Sequence, residues 1–176
     1  METSLSRRTL LGAISIGTLS LAGCLWGDDE YRLDPDDFED EYLHLVAEGL
    51  VREDLELVSI TRVEGWIEAS VTTDVELDWY FGPDTPSFIE DAIEEGHDVS
   101  DFRQAPGAET IIEWYIDAVE AGEAGEGLRV EYADGTCTGI TSIPRNRADW
   151  VLNETLDRRS VIGEFSNTRY SVDCSN

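Results

Sequence analysis

The chain has 176 residues, of which 39 are Asp or Glu and 12 are basic, giving a formal charge of −27 at neutral pH. All twelve basic residues are arginine; there is no lysine. So acidic a surface argues against a nucleic-acid partner, which needs a basic patch for phosphate. A hydrophobic content of 41%, with five Trp, six Tyr and five Phe, argues against wholesale disorder.

The first twenty-four residues read as an address. A basic start precedes a short apolar run, Leu10 to Ala22, broken by Gly12, Ser15, Gly17, Thr18 and Ser20. A spanning helix needs roughly 20 predominantly apolar residues, so this run predicts a cleaved signal rather than a permanent span. Ser6-Arg7-Arg8-Thr9-Leu10-Leu11 resembles a twin-arginine export signal. Leu21-Ala22-Gly23-Cys24 resembles a lipobox. That resemblance implies cleavage before Cys24 and lipid on its sulfur, with the chain held on the outer face of the cell membrane. The expected parts are a signal peptide over 1–23, a lipidated Cys24 with an acidic tether over 24–37, and one domain over 38–176.

Removing residues 1–23 takes away Glu2, Arg7 and Arg8, and leaves 38 acids against ten arginines, a formal charge of −28. The acids are spread along the whole chain. Self-repulsion of that size opposes a compact state at low salt, and molar salt screens it by shortening the Debye length to about 3 Å. The pattern suits concentrated brine. With the twin arginines and the lipobox, the chain resembles surface lipoproteins of haloarchaea. The acidity is a property of the solvent the protein meets and marks no site.

Leu25 to Asp37 is acidic, aperiodic and interrupted by Pro35, as a solvated tether would be. Asp34 and Asp36 alternate as in a calcium loop, but Phe38 breaks the series and no glycine follows. Phe38 to Arg52 carries apolar residues at three- and four-residue spacing and predicts a helix, with Asp36 or Asp37 as its cap. Leu55–Val63 and Trp66–Thr73, joined by Glu64-Gly65, predict a hairpin. In the next segment Trp79, Tyr80 and Phe81 are adjacent, and three consecutive aromatics cannot share one face of a strand. Either they straddle a buried strand, or one of them is exposed as a stacking surface for a sugar or a partner.

Thr85-Pro86 opens a predicted short helix to Glu95, closed by Gly96. Asp98 to Gly107 reads as a loop. Ala108 to Ala121 gives the strongest helical stripe, through Ile111, Ile112, Tyr115, Ile116, Ala118 and Val119. Leu128–Tyr132 and Thr136–Ile143 around Asp134-Gly135 form the clearest hairpin. Pro144 starts a helix to about Leu156, and two last strands are expected at Ser160–Phe165 and Arg169–Cys174. The order α-ββ-α-α-ββ-α-ββ implies an α+β fold, with helices packed on an antiparallel sheet built from hairpins.

Cys137 and Cys174 are the pair left once Cys24 is lipidated, and an oxidising compartment favours a bridge between them. The two histidines each follow a glutamate by three residues, Glu41-x-x-His44 and Glu94-x-x-His97, the spacing of di-iron ligands on helices. Carboxylates are so frequent here that solvated helix faces explain the spacing equally well, and no metal is assigned. Asn153-Glu154-Thr155 is a glycosylation acceptor sequence. No nucleophile elbow, P-loop or dinucleotide fingerprint occurs in the mature chain, so no cofactor is implied. The leading expectation is a non-enzymatic, lipid-anchored surface protein with a binding or envelope role and an unspecified protein or solute partner. The alternatives are an extracytoplasmic carboxylate- or metal-dependent enzyme and an accessory subunit of an envelope complex.

Overall fold

The computed structural model describes residues 33, 35–53, 55–83, 87–122 and 124–174. Cys24, Arg7 and Arg8 lie outside them, as does the Thr85-Pro86 pair. Among the described residues no helix is long and apolar enough to cross a membrane. Five strands make one sheet in the order β1 (Glu56–Val63), β2 (Trp66–Thr72), β3 (Gly127–Ala133), β4 (Cys137–Pro144) and β5 (Ser171–Cys174). Both predicted hairpins are present. At the first turn Glu64 and Gly65 have φ of 50° and 87°, the pair of positive values a two-residue type I′ turn demands.

The fold is α+β, and its sheet is antiparallel except at one place. β2 and β3 run parallel, from Trp66 beside Gly127 to Thr72 beside Ala133. Residues 73–126 cross over between them, as parallel neighbours require. The expected hairpins of the antiparallel sheet are thus joined by a helical crossover that sets β2 and β3 parallel.

Alternation decides which face is covered. On β2, Ile67, Ala69 and Val71 are buried, while Trp66, Glu68, Ser70 and Thr72 lie on the other face. The buried face meets α1 (Glu41–Arg52) and α3 (Ala108–Ala121), whose predicted stripe from Ile111 to Val119 is buried. The opposite face carries polar pairs such as Arg129 with Glu68 at 2.7 Å, as a one-sided sheet facing water does. Helices α2 (Ser87–Glu94), α4 (Arg145–Leu152) and α5 (Arg158–Gly163) complete the set.

Three local expectations are corrected. The strand expected at Ser160–Phe165 is α5 running into a π-helical turn, Glu164–Thr168. Val161 and Phe165, both buried, are four residues apart, a helical spacing. The first helix begins at Glu41 rather than Phe38, because Asp40 is its cap: one carboxylate oxygen accepts from the N–H of Tyr42 at 3.0 Å and of Leu43 at 3.2 Å. The domain also reaches back into the expected tether. Leu33 packs partly against the core, and Pro35–Asp37 forms a 3-10 turn.

Candidate functional site

The sheet has two unlike ends. At one, Asp40 at the head of α1 pairs with Arg62 at the tail of β1, Nε to Oδ2 at 2.8 Å. This is where the chain enters the domain. The strands β2 and β3 point away from it. At the opposite, distal end lie the last residues of α1, the 134–136 turn, the N-terminus of α3 and the start of the 73–107 segment.

That segment is fastened to the domain by side chains that the sequence did not single out. Asp134 accepts from the N–H of Leu77 at 2.8 Å, of Thr136 at 2.7 Å and of Cys137 at 2.6 Å. Partial burial by itself pushes this carboxyl up, and the three N–H donors outweigh it, so Asp134 sits below the usual carboxylate range. Arg103 donates through Nε to the carbonyl of Asp78 at 2.8 Å and through a second nitrogen to its carboxylate. Gln104 N–H donates to the carbonyl of Tyr80 at 3.0 Å, and Ala105 N–H to that of Ser166 at 3.0 Å.

Asp40 and Asp134 give the domain an acid-sensitive component. Asp40 is also held low, first by its hydrogen bond from Arg62, with the Tyr42 and Leu43 N–H groups adding to it against a burial cost. Both folded values lie below the ordinary 3.8. Their contribution is therefore present above that value and is lost as pH falls through the depressed ones. Between pH 5 and 2 in molar salt, the urea midpoint of the native protein should fall more steeply than that of Asp134→Asn. Equal slopes would show that Asp134 carries no such linkage.

The three adjacent aromatics diverge. Trp79 is 55% exposed, at the end of a 3-10 turn, Leu77–Trp79. Phe81 is 4% exposed and packs with Ile89 and Val99 in a small separate core. It is therefore no part of an exposed stacking surface, and the Trp79, Tyr80, Phe81 platform reduces to Trp79 and the half-buried Tyr80. A second exposed aromatic pair, Phe88 and Phe102, meets edge to face at 5.7 Å.

Tyr80 lines a cavity of about 360 Å³ at the head of α3, with Glu53, Gln104, Glu109, Thr110 and Ser166 among its walls. Burial raises the Tyr80 phenol above its ordinary value, and the charge of Glu53 raises it further. Glu53 itself bonds the Thr110 hydroxyl at 2.5 Å. Beneath Trp79 runs a separate open groove bordered by Asp74, Glu76, Asp78 and Asp134, reaching Cys137 and Cys174. Those cysteines are direct neighbours across β4 and β5, with Cα atoms 4.1 Å apart and sulfurs at bonding distance, 2.03 Å.

The histidines are not brought together. His44, near the entry end, has Nδ1 2.9 Å from the carbonyl of Pro35 and Nε2 3.5 Å from Glu48, not Glu41. His97, past the end of α2, lies 3.1 Å from Glu95, not Glu94. Among the described residues no three His, Cys, Asp or Glu side chains are grouped to hold a metal. Asn153 is exposed at the C-cap of α4, its amide donating to the carbonyl of Asp149 at 2.7 Å.

Together these features define a small two-layer α+β domain with a cavity of mixed polar and apolar lining at one end. Comparison with protein-family models, with curated proteins and with solved structures returns no significant match.

Proposed function

We propose that the chain is a lipid-anchored extracytoplasmic protein of a halophile, tethered at Cys24, whose domain binds a solute or partner. The observation that carries this reading is the two-ended layout. The chain enters beside Asp40 and Arg62, whereas the start of the crossover, Trp79 and the Tyr80 cavity sit at the distal end. A tether on the entry side leaves the distal end free to meet the medium. The arginines support a structural use of positive charge: Arg62, Arg129 and Arg147 each pair with a carboxylate and also lie over an aromatic ring. This suits a domain whose surface charge is adapted to brine rather than arranged for catalysis.

Localisation tests the reading. Expressed in a halophilic host, the native chain should fractionate with membranes and be accessible to protease added outside intact cells. Cys24→Ser should appear mainly in the medium or in the soluble fraction. Equal retention of both forms inside the cell would contradict the proposal.

A further inference from the structure

Asn153-Glu154-Thr155 is the single Asn-x-Ser/Thr acceptor sequence of the chain. Asn146 and Asn167 are followed, two places on, by Ala148 and Arg169, and Asn176 ends the sequence. Apolar spacing predicts a helix from Pro144 to about Leu156, which would enclose the acceptor. Inside a helix, residues two apart do not face each other. An enzyme that reads the asparagine amide together with the threonine hydroxyl would then meet only one of them.

The structure ends α4 at Leu152 instead. Asn153 is its C-cap, and Glu154 turns left-handed, with φ of 57°. The N–H groups of Thr155 and Leu156 both fold back onto the carbonyl of Trp150, at 2.8 and 3.1 Å. They satisfy a carbonyl that the end of the helix would otherwise leave open. The reversal brings the Thr155 hydroxyl to 3.4 Å from the carbonyl of Asn153. All three acceptor residues are exposed. A surface turn is the setting in which such a sequence is modified.

The amide also keeps its local bond after modification. Nδ2 carries two hydrogens, and one of them donates to the carbonyl of Asp149 at 2.7 Å. A glycan replaces the other. Beside it, Trp150 and Leu152 are 40% and 37% exposed. The three-residue spacing puts Trp150 next to Asn153. Sugar C–H faces have an apolar surface to rest on there, and they would cover side chains that the bare domain leaves open to solvent.

We infer that Asn153 is an N-glycosylation site, an assignment that rests on the export proposed above. In the transfer, Nδ2 attacks the anomeric carbon of a glycan carried on a lipid phosphate. The C–N bond forms as the C–O bond to phosphate breaks. The phosphate keeps the electron pair, and the amide gives up one proton.

The test reads one peptide. The chain has no lysine, so trypsin cuts after Arg147 and Arg158 and releases the acceptor whole in residues 148–158. The full chain is produced in a halophilic host, and a host surface protein that carries N-glycans is followed in the same preparation as the positive control. Peptide 148–158 should be heavier by one glycan, and fragmentation should place it on Asn153. Asn153→Gln and Thr155→Ala should each abolish the added mass, whereas Thr155→Ser should retain it. Thr155→Ala should fold normally, because the exposed hydroxyl makes only its 3.4 Å bond to Asn153, so its loss of mass reads acceptor recognition rather than misfolding. A bare peptide from exported, lipidated chain would overturn the glycan assignment alone. So would a glycan on Thr155, or one that persists in Thr155→Ala. A bare peptide from unlipidated chain kept inside the cell would overturn this assignment and the anchored reading together.

Discussion

Replacing Cys137 and Cys174 together by serine is expected to lower the unfolding free energy by about 4 kcal/mol. The cysteines are 37 residues apart in sequence, so the bridge closes a loop that holds β4, α4, α5 and β5. The entropy such a loop takes from the unfolded chain sets the figure, and native-state relaxation lowers it. The bridge also pins a weak element. β5 has four residues and pairs with β4 only from Ile140 to Cys137. Without the crosslink it should be the first strand to detach, exposing Tyr170, whose ring meets the buried Tyr132 edge to face at 6.1 Å. Urea unfolding in molar salt should show a lower midpoint with a somewhat steeper slope, because the unfolded chain without the crosslink exposes more surface, and hydrogen exchange should quicken first in residues 171–174. A loss below about 1 kcal/mol would mean that the bridge does little to restrict the unfolded chain.

Gly125→Ala should cost about 3 kcal/mol, combining a backbone penalty and an overpacking penalty that each run from about 1 to 3 kcal/mol. Gly125 has φ of +85°, a conformation that side chains disfavour. A Cβ there would lie 1.9 Å from the carbonyl oxygen of Gly65. That atom is backbone and cannot rotate aside. It also accepts the N–H of Glu126 at 2.6 Å, so the β1–β2 turn and the approach to β3 are locked together at this point. The strain should therefore spread into the parallel pair β2–β3. Gly135→Ala is the control: its φ is +88°, but nothing lies within 4 Å of the added atom. It should lose only the conformational share. Equal losses in the two variants would show that the close approach to Gly65 contributes nothing.

Both hairpins and α3 were legible because their signals are local. Glu64, Gly65 and Gly135 supply the left-handed residues the two tight turns require, and the stripe from Ile111 to Val119 keeps one period over more than two turns. The parallel joining of the hairpins was not legible. β2 and β3 each show a one-sided alternation that suits either direction, and the direction is set by a crossover of more than fifty residues. The π-helical turn was missed because Val161, Ile162 and Phe165 are too few to separate a strand from a short helix. At the distal end, the crowding of Trp79, Tyr80 and Phe81 was visible, but which ring turned outward depended on Ile89 and Val99, well beyond them in sequence. Glu53 was one acid among 39, and Ser166 one hydroxyl in a presumed turn. Only the folding together of α1, α3 and the 164–168 turn gives those two a shared cavity.

The most direct test of the anchored reading is the intact mass of the protein taken from native membranes in high salt. The account predicts the mass of residues 24–176 plus lipid and the Asn153 glycan, two hydrogens light for the Cys137–Cys174 bridge, with the lipid lost in Cys24→Ser. An unprocessed chain beginning at Met1, or a chain cut at Cys24 without lipid, would contradict it.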